Sequence, residues 1–293
     1  MVKFKRFAII GCLILLFSSM NLSAQESSFA GMFAPIGVGA GPLALGSAYS
    51  AVAADTFALY WNPAGLVKAT ETKVGGMAAD LYGQGIMRYD LALTVSGLPF
   101  QLGAYKSALT TKPELNLPYR EDVFAVGVAK KVYRDADRDL AVGGTIKYFS
   151  LDAGSESLNT KRRGLGLDLG LLGSYGRFTG SIVLANIFAS VKGNIIEDGE
   201  ERSSTEAVPA NLTIGASYQP ANDLTLVLDI LPQSGQIRLG AEKMLSKQLA
   251  LRGGWNGHFT AGFGLQMGGL VVDYAFVMEQ VLPSQRVSVQ YSF

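Results

Sequence analysis

The sequence is poor in the residues that carry chemistry. Cys12 is its only cysteine and His258 its only histidine in 293 residues. One thiol excludes a disulfide framework and a thiolate metal cluster. His258 falls in the turn-like Asn256-Gly257-His258 and reads as a surface-loop residue, with no serine at a spacing that would make it half of a catalytic pair. No enzyme activity, metal or cofactor is therefore expected. A net charge of +1, with both signs spread along the chain, leaves no basic stripe for nucleic acid. Gly37 to Gly41 is no phosphate loop, because no strand leads in and no Lys-Ser/Thr follows. Long apolar runs are also missing: after Phe17 nothing approaches the about 20 residues a spanning helix needs, so any membrane insertion must be by strands.

What is present begins with an export signal. Lys3, Lys5 and Arg6 precede an apolar run from Phe7 to Phe17, then Leu22-Ser23-Ala24 before Gln25. This reads as a secretory signal peptide over 1–24, cleaved near Ala24, which removes Cys12. Ile9-Ile10-Gly11-Cys12 superficially resembles a lipoprotein box, but cutting there would leave Leu13 to Phe17 on the mature chain.

From 72 to 293 one theme repeats: segments of about 10 residues alternate apolar with small or polar positions, separated by turn chemistry. Leu165, Leu167, Leu169 and Leu171 interleave with Gly166, Asp168 and Gly170; Leu224, Leu226, Leu228 and Ile230 with Thr225, Val227 and Asp229; Leu212, Ile214, Ala216 and Tyr218 with Asn211, Thr213, Gly215 and Ser217. One face suits lipid and the other tolerates charge. Strands are expected at 72–82, 88–97, 100–109, 121–133, 138–151, 163–175, 177–189, 209–218, 222–231, 235–244, 247–255, 260–267, 269–278 and 285–293. The fold class is thus all-β, a transmembrane antiparallel barrel of about fourteen strands. Tight connections alternate with longer stretches at 110–120, 152–162 and 190–208, read as external loops. Tyr82, Tyr89, Tyr119, Tyr148, Tyr218, Trp255 and Phe276 fall towards strand ends, where aromatic girdles meet headgroups. The final alternation of Val287, Val289, Tyr291 and Phe293 resembles the signal read by the outer-membrane assembly machinery. The expected location is the bacterial outer membrane, with its lipid and that machinery as partners.

Residues 25–71 do not alternate. They are rich in glycine and alanine and form a partly helical plug, with a short helix over Ala44 to Ala54 and a second turn capped by Asp55 or Thr56 and ended by Asn62-Pro63. The glycine-rich stretch, Ala48-Tyr49, Asp55 and Ala58-Leu59-Tyr60-Trp61-Asn62-Pro63-Ala64-Gly65-Leu66 resemble the N-terminus of the PorV/PorQ family of outer-membrane proteins, itself similar to the FadL long-chain fatty-acid transporters. The resemblance implies a fourteen-stranded barrel with a hatch inside it and makes Asp55, Trp61, Asn62, Pro63 and Ala64 the plug motif. Gly41 stands where the family usually carries an arginine, and the chain is short for the group. Two functions follow as expectations: a component or cargo shuttle of a type IX-like secretion system, with secreted proteins as partners, or a FadL-like channel for a hydrophobic small molecule.

Strand parity points Lys147, Asp168, Asp229, Arg238, Glu242, Arg252 and Asp273 inward. Folding the chain about its turns sets Lys147 opposite Asp168, Asp229 opposite Arg238, Arg252 beside Arg238, and Asp273 beyond Gly264, a girdle of mixed charge. Such a girdle serves either as a lumen site or as structural pairs in a filled lumen.

Overall fold

A computed structural model describes residues 36–115, 118–154, 158–197, 200–278 and 282–293. The signal peptide and residues 25–35 of the plug lie outside them. The chain forms a closed antiparallel barrel whose wall has fourteen strands, with a fifteenth short strand outside the wall circuit. The strands are β1 (Lys73–Leu81), β2 (Ile86–Val95), β3 (Gln101–Thr111), β4 (Tyr119–Arg134), β5 (Arg138–Gly154), β6 (Leu158–Tyr175), β7 (Phe178–Glu197), β8 (Glu200–Ala207), β9 (Asn211–Ala221), β10 (Leu224–Leu231), β11 (Gln236–Met244), β12 (Leu249–Trp255), β13 (Phe259–Met267), β14 (Leu270–Val277) and β15 (Ser284–Ser292). β1 pairs with β15, so no wall edge is left open. Phe293 lies at this seam, its N–H donating to the Thr72 carbonyl at 2.9 Å and its ring packed edge-on to Tyr291.

The expected alternation holds in space. Leu165, Leu169, Leu226, Ile214 and Val287 are exposed on the outside, while Asp168 and Asp229 are buried in the lumen. Apolar side chains therefore cover the outer wall, and the interior core forms between wall and plug. In it Val38, Leu43, Phe57, Leu59, Trp61 and Leu66 pack on Met77, Tyr105, Ala125, Ala129, Ala275 and Val277. Tyr89, Tyr148, Tyr218 and Trp255 are exposed outside as a girdle requires. Tyr82, Tyr119 and Phe276 are only half-exposed; the Tyr119 hydroxyl donates to Glu121 Oε2 at 2.7 Å, and Glu121 is buried.

Two of the three expected external loops are corrected. Most of 152–162 and 190–208 continues as strand, whereas the first stretch does leave the ladder between Thr111 and Tyr119, with a 3-10 turn at Pro113–Leu115; β4 to β7 thus run 16 to 20 residues against 7 to 11 for β9 to β15. The lower part of β7 pairs with β9, from Phe178↔Tyr218 to Ala185↔Asn211, and the upper part with β8, from Ser190↔Ala207 to Glu197↔Glu200. Between these partners β7 leaves the regular ladder, with Asn186 and Phe188 at φ 59° and 53°.

The plug holds two short helices, α1 (Ala40–Ala44) and α2 (Ala58–Trp61), and a 3-10 turn over Pro63–Lys68. The first helix ends ten residues before its expected limit of Ala54, because Gly46 and Ser47 take left-handed φ of 65° and 60°. Asp55 contributes an Asx turn, accepting the Phe57 N–H at 2.9 Å, before α2 begins.

Candidate functional site

The plug is gripped from two sides. On the β3–β6 side the wall is made of backbone. Gly143 and Gly170 are register partners, and the Asn62-Pro63-Ala64 segment fits the notch they leave: a Cβ on Gly143 would lie 2.5 Å from the Ala64 nitrogen, and one on Gly170 would strike Asn62 Oδ1. Asn62 is fully buried. Its amide donates to the Ser50 carbonyl at 2.9 Å and the Leu171 carbonyl at 3.3 Å, and its oxygen accepts the Ala64 N–H at 2.9 Å, capping the 3-10 turn. Ala64 packs with Ala141 and Leu172, and Leu66 closes on Gly103.

On the β9–β15 side the wall grips with polar side chains. Asp229 Oδ2 accepts the N–H groups of Tyr49 and Ser50 at 3.0 and 3.1 Å, and its Oδ1 accepts the Ser50 hydroxyl at 2.6 Å. Thr260 accepts the Gly46 N–H at 3.0 Å and donates to the Ala44 carbonyl at 2.9 Å. Ser288 accepts the Ala40 N–H, and Gln290 accepts both the N–H and the hydroxyl of Thr56.

The plug separates two cavities. Above it, on the side of the long strands, lies a chamber of about 140 Å³ lined by Tyr60, Trp61, Tyr105, Val123, Phe149, Val183 and Leu231, with Arg88, Lys147, Asp168 and Arg238 among the polar groups. Trp61 is locked by its indole N–H, which donates to the Val38 carbonyl at 2.8 Å, and by edge contacts with Tyr49 and Tyr60. Below the plug a cavity of about 520 Å³ is lined by Tyr49, Asp55, Lys68, Glu242, Arg252, Asp273 and Gln290, near the short β6–β7 turn at Gly176-Arg177. Short turns mark the periplasmic end of outer-membrane barrels, so the chamber faces outward and the larger cavity the periplasm.

The inward charges fall on both sides of the plug, not in the single girdle expected. Lys147 and Asp168 are diagonal rather than directly opposed, since Thr145 is the register partner of Asp168, yet they form a buried ion pair at 2.7 Å beside the outer chamber. Asp168 also accepts the Asn186 N–H at 2.8 Å and so ties down the irregular part of β7. Asp229 and Arg238 are register partners as expected, but Asp229 is spent on the plug, and Arg238 donates to Gln236 Oε1 at 3.0 Å. Arg252 does not lie beside Arg238. Its register partner is Glu242, because the β11–β12 turn is centred on Lys247, beyond the expected Leu245-Ser246. It binds Glu242 at 2.6 Å and reaches over β13 to Asp273 at 2.6 Å, across the place where Gly264 has no side chain. The same Arg252 and Asp273 fill the space over Gly41, where the family resemblance expects a plug arginine.

Asp55, enclosed with this cluster, has its carboxyl pushed up to about 6 by burial and then by the neighbouring Asp273 carboxylate, against hydrogen bonds from Tyr49 and the Phe57 N–H. Sequence reasoning missed Ser181, Thr260, Ser288 and Gln290 as wall contacts of the plug, and Ser50 as their partner within it. The one signal of the wall residues is inward parity on strands whose outward positions are apolar.

In sequence, no family model and no curated protein matches the chain. In structure it is similar to the CymD monoaromatic hydrocarbon channel, at 15% identity and a TM-score of 0.61 over 89% of this chain and 99% of that one. It is similar also to the toluene transporter TodX of Pseudomonas putida, at 13% identity and a TM-score of 0.62 over 88% and 99%. A FadL homologue of Pseudomonas aeruginosa matches at 13% identity and a TM-score of 0.54 over 84% and 96%. The likeness is one of fold, that of an outer-membrane β-barrel with FadL-type architecture. It falls on the FadL side of the expected resemblance and lends no support to the PorV side or to the type IX-like secretion role.

Proposed function

We propose that this barrel admits a small hydrophobic solute across the outer membrane, non-enzymatically, by way of the outer chamber and a displaceable plug. The observation that carries this reading is the chamber itself: a hollow with aromatic and aliphatic walls and a charged rim, resting on Tyr60 and Trp61, the outward face of the plug that separates it from the periplasmic cavity. The hydrocarbon-channel fold supports it. Arg238 lines the same chamber and, among the described residues, has no carboxylate within ion-pair distance, so a solute with a polar or anionic end has a partner there. Passage requires the plug motif Asn62-Pro63-Ala64 to leave its glycine notch. The chemistry needed is binding and release, for which no cofactor is required.

Trp61 supplies the test. The chain has two tryptophans, so in a Trp255→Phe protein Trp61 is the sole indole reporter. Titration of the folded barrel with toluene or a medium-chain fatty acid should give a saturable fluorescence change, abolished by Phe149→Arg. A linear or absent response would remove the proposal. Secreted proteins co-purifying with a barrel that binds no hydrophobic solute would favour the platform reading instead.

A further inference from the structure

Along the outward face of β6, Leu165 and Leu169 are exposed and the row ends at Tyr175. From Leu165 to Tyr175, at about 3.3 Å per residue on a strand tilted by about 40°, the face rises about 25 Å, the height of an outer-membrane apolar band. The next outward positions beyond Leu165 are Arg163 and Lys161, both exposed. The edge of the band continues along the hydrogen-bonded rows of the neighbouring strands. Lys106, Phe124, Tyr148 and Leu165 are consecutive register partners on β3 to β6. The row above reads Asp122, Ser150, Arg163 and Lys192 across β4 to β7, and the next Arg120, Asp152, Lys161 and Asn194.

Five cations thus face two carboxylates in these rows. Asp122 is shared by Arg120 at 2.6 Å and Lys106 at 3.6 Å, and Asp152 is taken by Arg163 at 3.0 Å. Lys161 and Lys192 meet no carboxylate within ion-pair distance among the described residues, and Glu201 farther out is held by Asn194. A surplus of positive charge directly above an aromatic and aliphatic belt matches an amphiphile whose acyl chains lie on the belt and whose phosphates sit at its rim. Arg163 is held in place by Asp152 and by the Leu151 and Arg162 carbonyls and adds its charge to the rim, while Lys161 and Lys192 carry the unpaired ammonium groups. A dissolved anion would have no use for the belt below.

We infer that Lys161, Arg163 and Lys192 form a binding site for the phosphate groups of a phosphorylated lipid in the outer leaflet, on the outside of the wall. The site is independent of whether any solute passes through the lumen.

The test uses the full mature barrel in uncharged detergent and native mass spectrometry, with bisphosphorylated lipid A and its phosphate-free counterpart as probes. The wild type should hold lipid A about tenfold better than the phosphate-free form. Lys161→Gln/Arg163→Gln/Lys192→Gln, still heat-modifiable on gels, should fall to the phosphate-free level. A charge-matched set at the periplasmic end, Lys130→Gln/Arg134→Gln/Lys247→Gln, should bind as the wild type does. Equal binding by the outer-rim triple and the wild type would overturn the inference, as would an equal loss in the periplasmic set. Displacement of lipid A by millimolar inorganic phosphate would assign the site to a free anion and overturn it too.

Discussion

Both flanks of the lumen meet the plug with glycine backbone, Gly143 and Gly170 on one and Gly240, Gly254 and Gly262 on the other, but only the second adds a row of polar side chains that bind plug N–H groups. On β3 to β6 the wall presents glycine backbone, and the plug fits by shape, with Asn62 supplying the polar contacts. On β9 to β15 the wall presents Asp229, Thr260, Ser288 and Gln290, each meeting a backbone N–H of the plug. A shape-fitted contact yields to added volume and ignores charge. A contact built on buried N–H donors survives small steric changes but fails when an acceptor is lost, because an orphaned donor keeps its full desolvation cost. The difference identifies which side each perturbation should release.

The largest effect is expected at the notch. Gly143→Val places carbon against the Ala64 nitrogen, and backbone on both sides leaves little room for relaxation. Overpacking of this kind costs about 3 kcal/mol. The urea midpoint of the refolded barrel should drop, and dye efflux from proteoliposomes should rise as the plug unseats. On the opposite flank, Asp229→Ala leaves the Tyr49 and Ser50 N–H groups without their acceptor and the Ser50 hydroxyl with Ser181 alone, at about 2 kcal/mol. Limited proteolysis near Tyr49 should accelerate while the wall stays heat-modifiable. If Asp229→Ala leaves cleavage unchanged, the polar flank is not what retains the plug.

Asn62→Ala should cost about 1–2 kcal/mol, since it removes the cap of the 3-10 turn and the bridges to Ser50 and Leu171. The smallest effect belongs to pH. Asp55 holds its proton up to about 6 in the folded barrel, against about 3.9 in an unfolded chain. Its contribution to plug docking is therefore complete below about pH 4 and lost as pH rises through about 6. Asp55→Asn should retain the plug better than the wild type at pH 7 and equally at pH 4, as read by protease access. A wild type that loosens at low pH relative to the variant would contradict this sign.

How much of this was legible in the sequence follows from where two-faced burial applies. Fourteen wall strands were readable because one face meets lipid and the other a filled lumen, so alternation is enforced residue by residue, as in Leu165 to Leu171. The upper parts of β5 to β7 and all of β8 read as loop. Above the belt neither face needs to be apolar, and Lys161-Arg162-Arg163 or Glu200-Glu201-Arg202 carry no period although their backbone continues the ladder. Inward parity identified Asp229, Arg252 and Asp273, but register did not follow from it, since a turn centred on Lys247 moves Arg252 from Arg238 to Glu242. The plug's α1 was misplaced because its limits depend on wall groups such as Thr260 and Ser288, far away in sequence.

The most direct measurement locks the plug to the wall. Ser50 Oγ and Ser181 Oγ lie 2.8 Å apart, one on the plug and one on β7, and Cys12 is the only native cysteine. In a Ser50→Cys/Ser181→Cys barrel, oxidation should hold the plug in its notch. Cells carrying the oxidised protein should take up radiolabelled toluene no faster than cells without it, and reduction should restore entry. Equal uptake before and after reduction, with the crosslink verified by mass, would contradict the claim that the plug must move for a solute to pass.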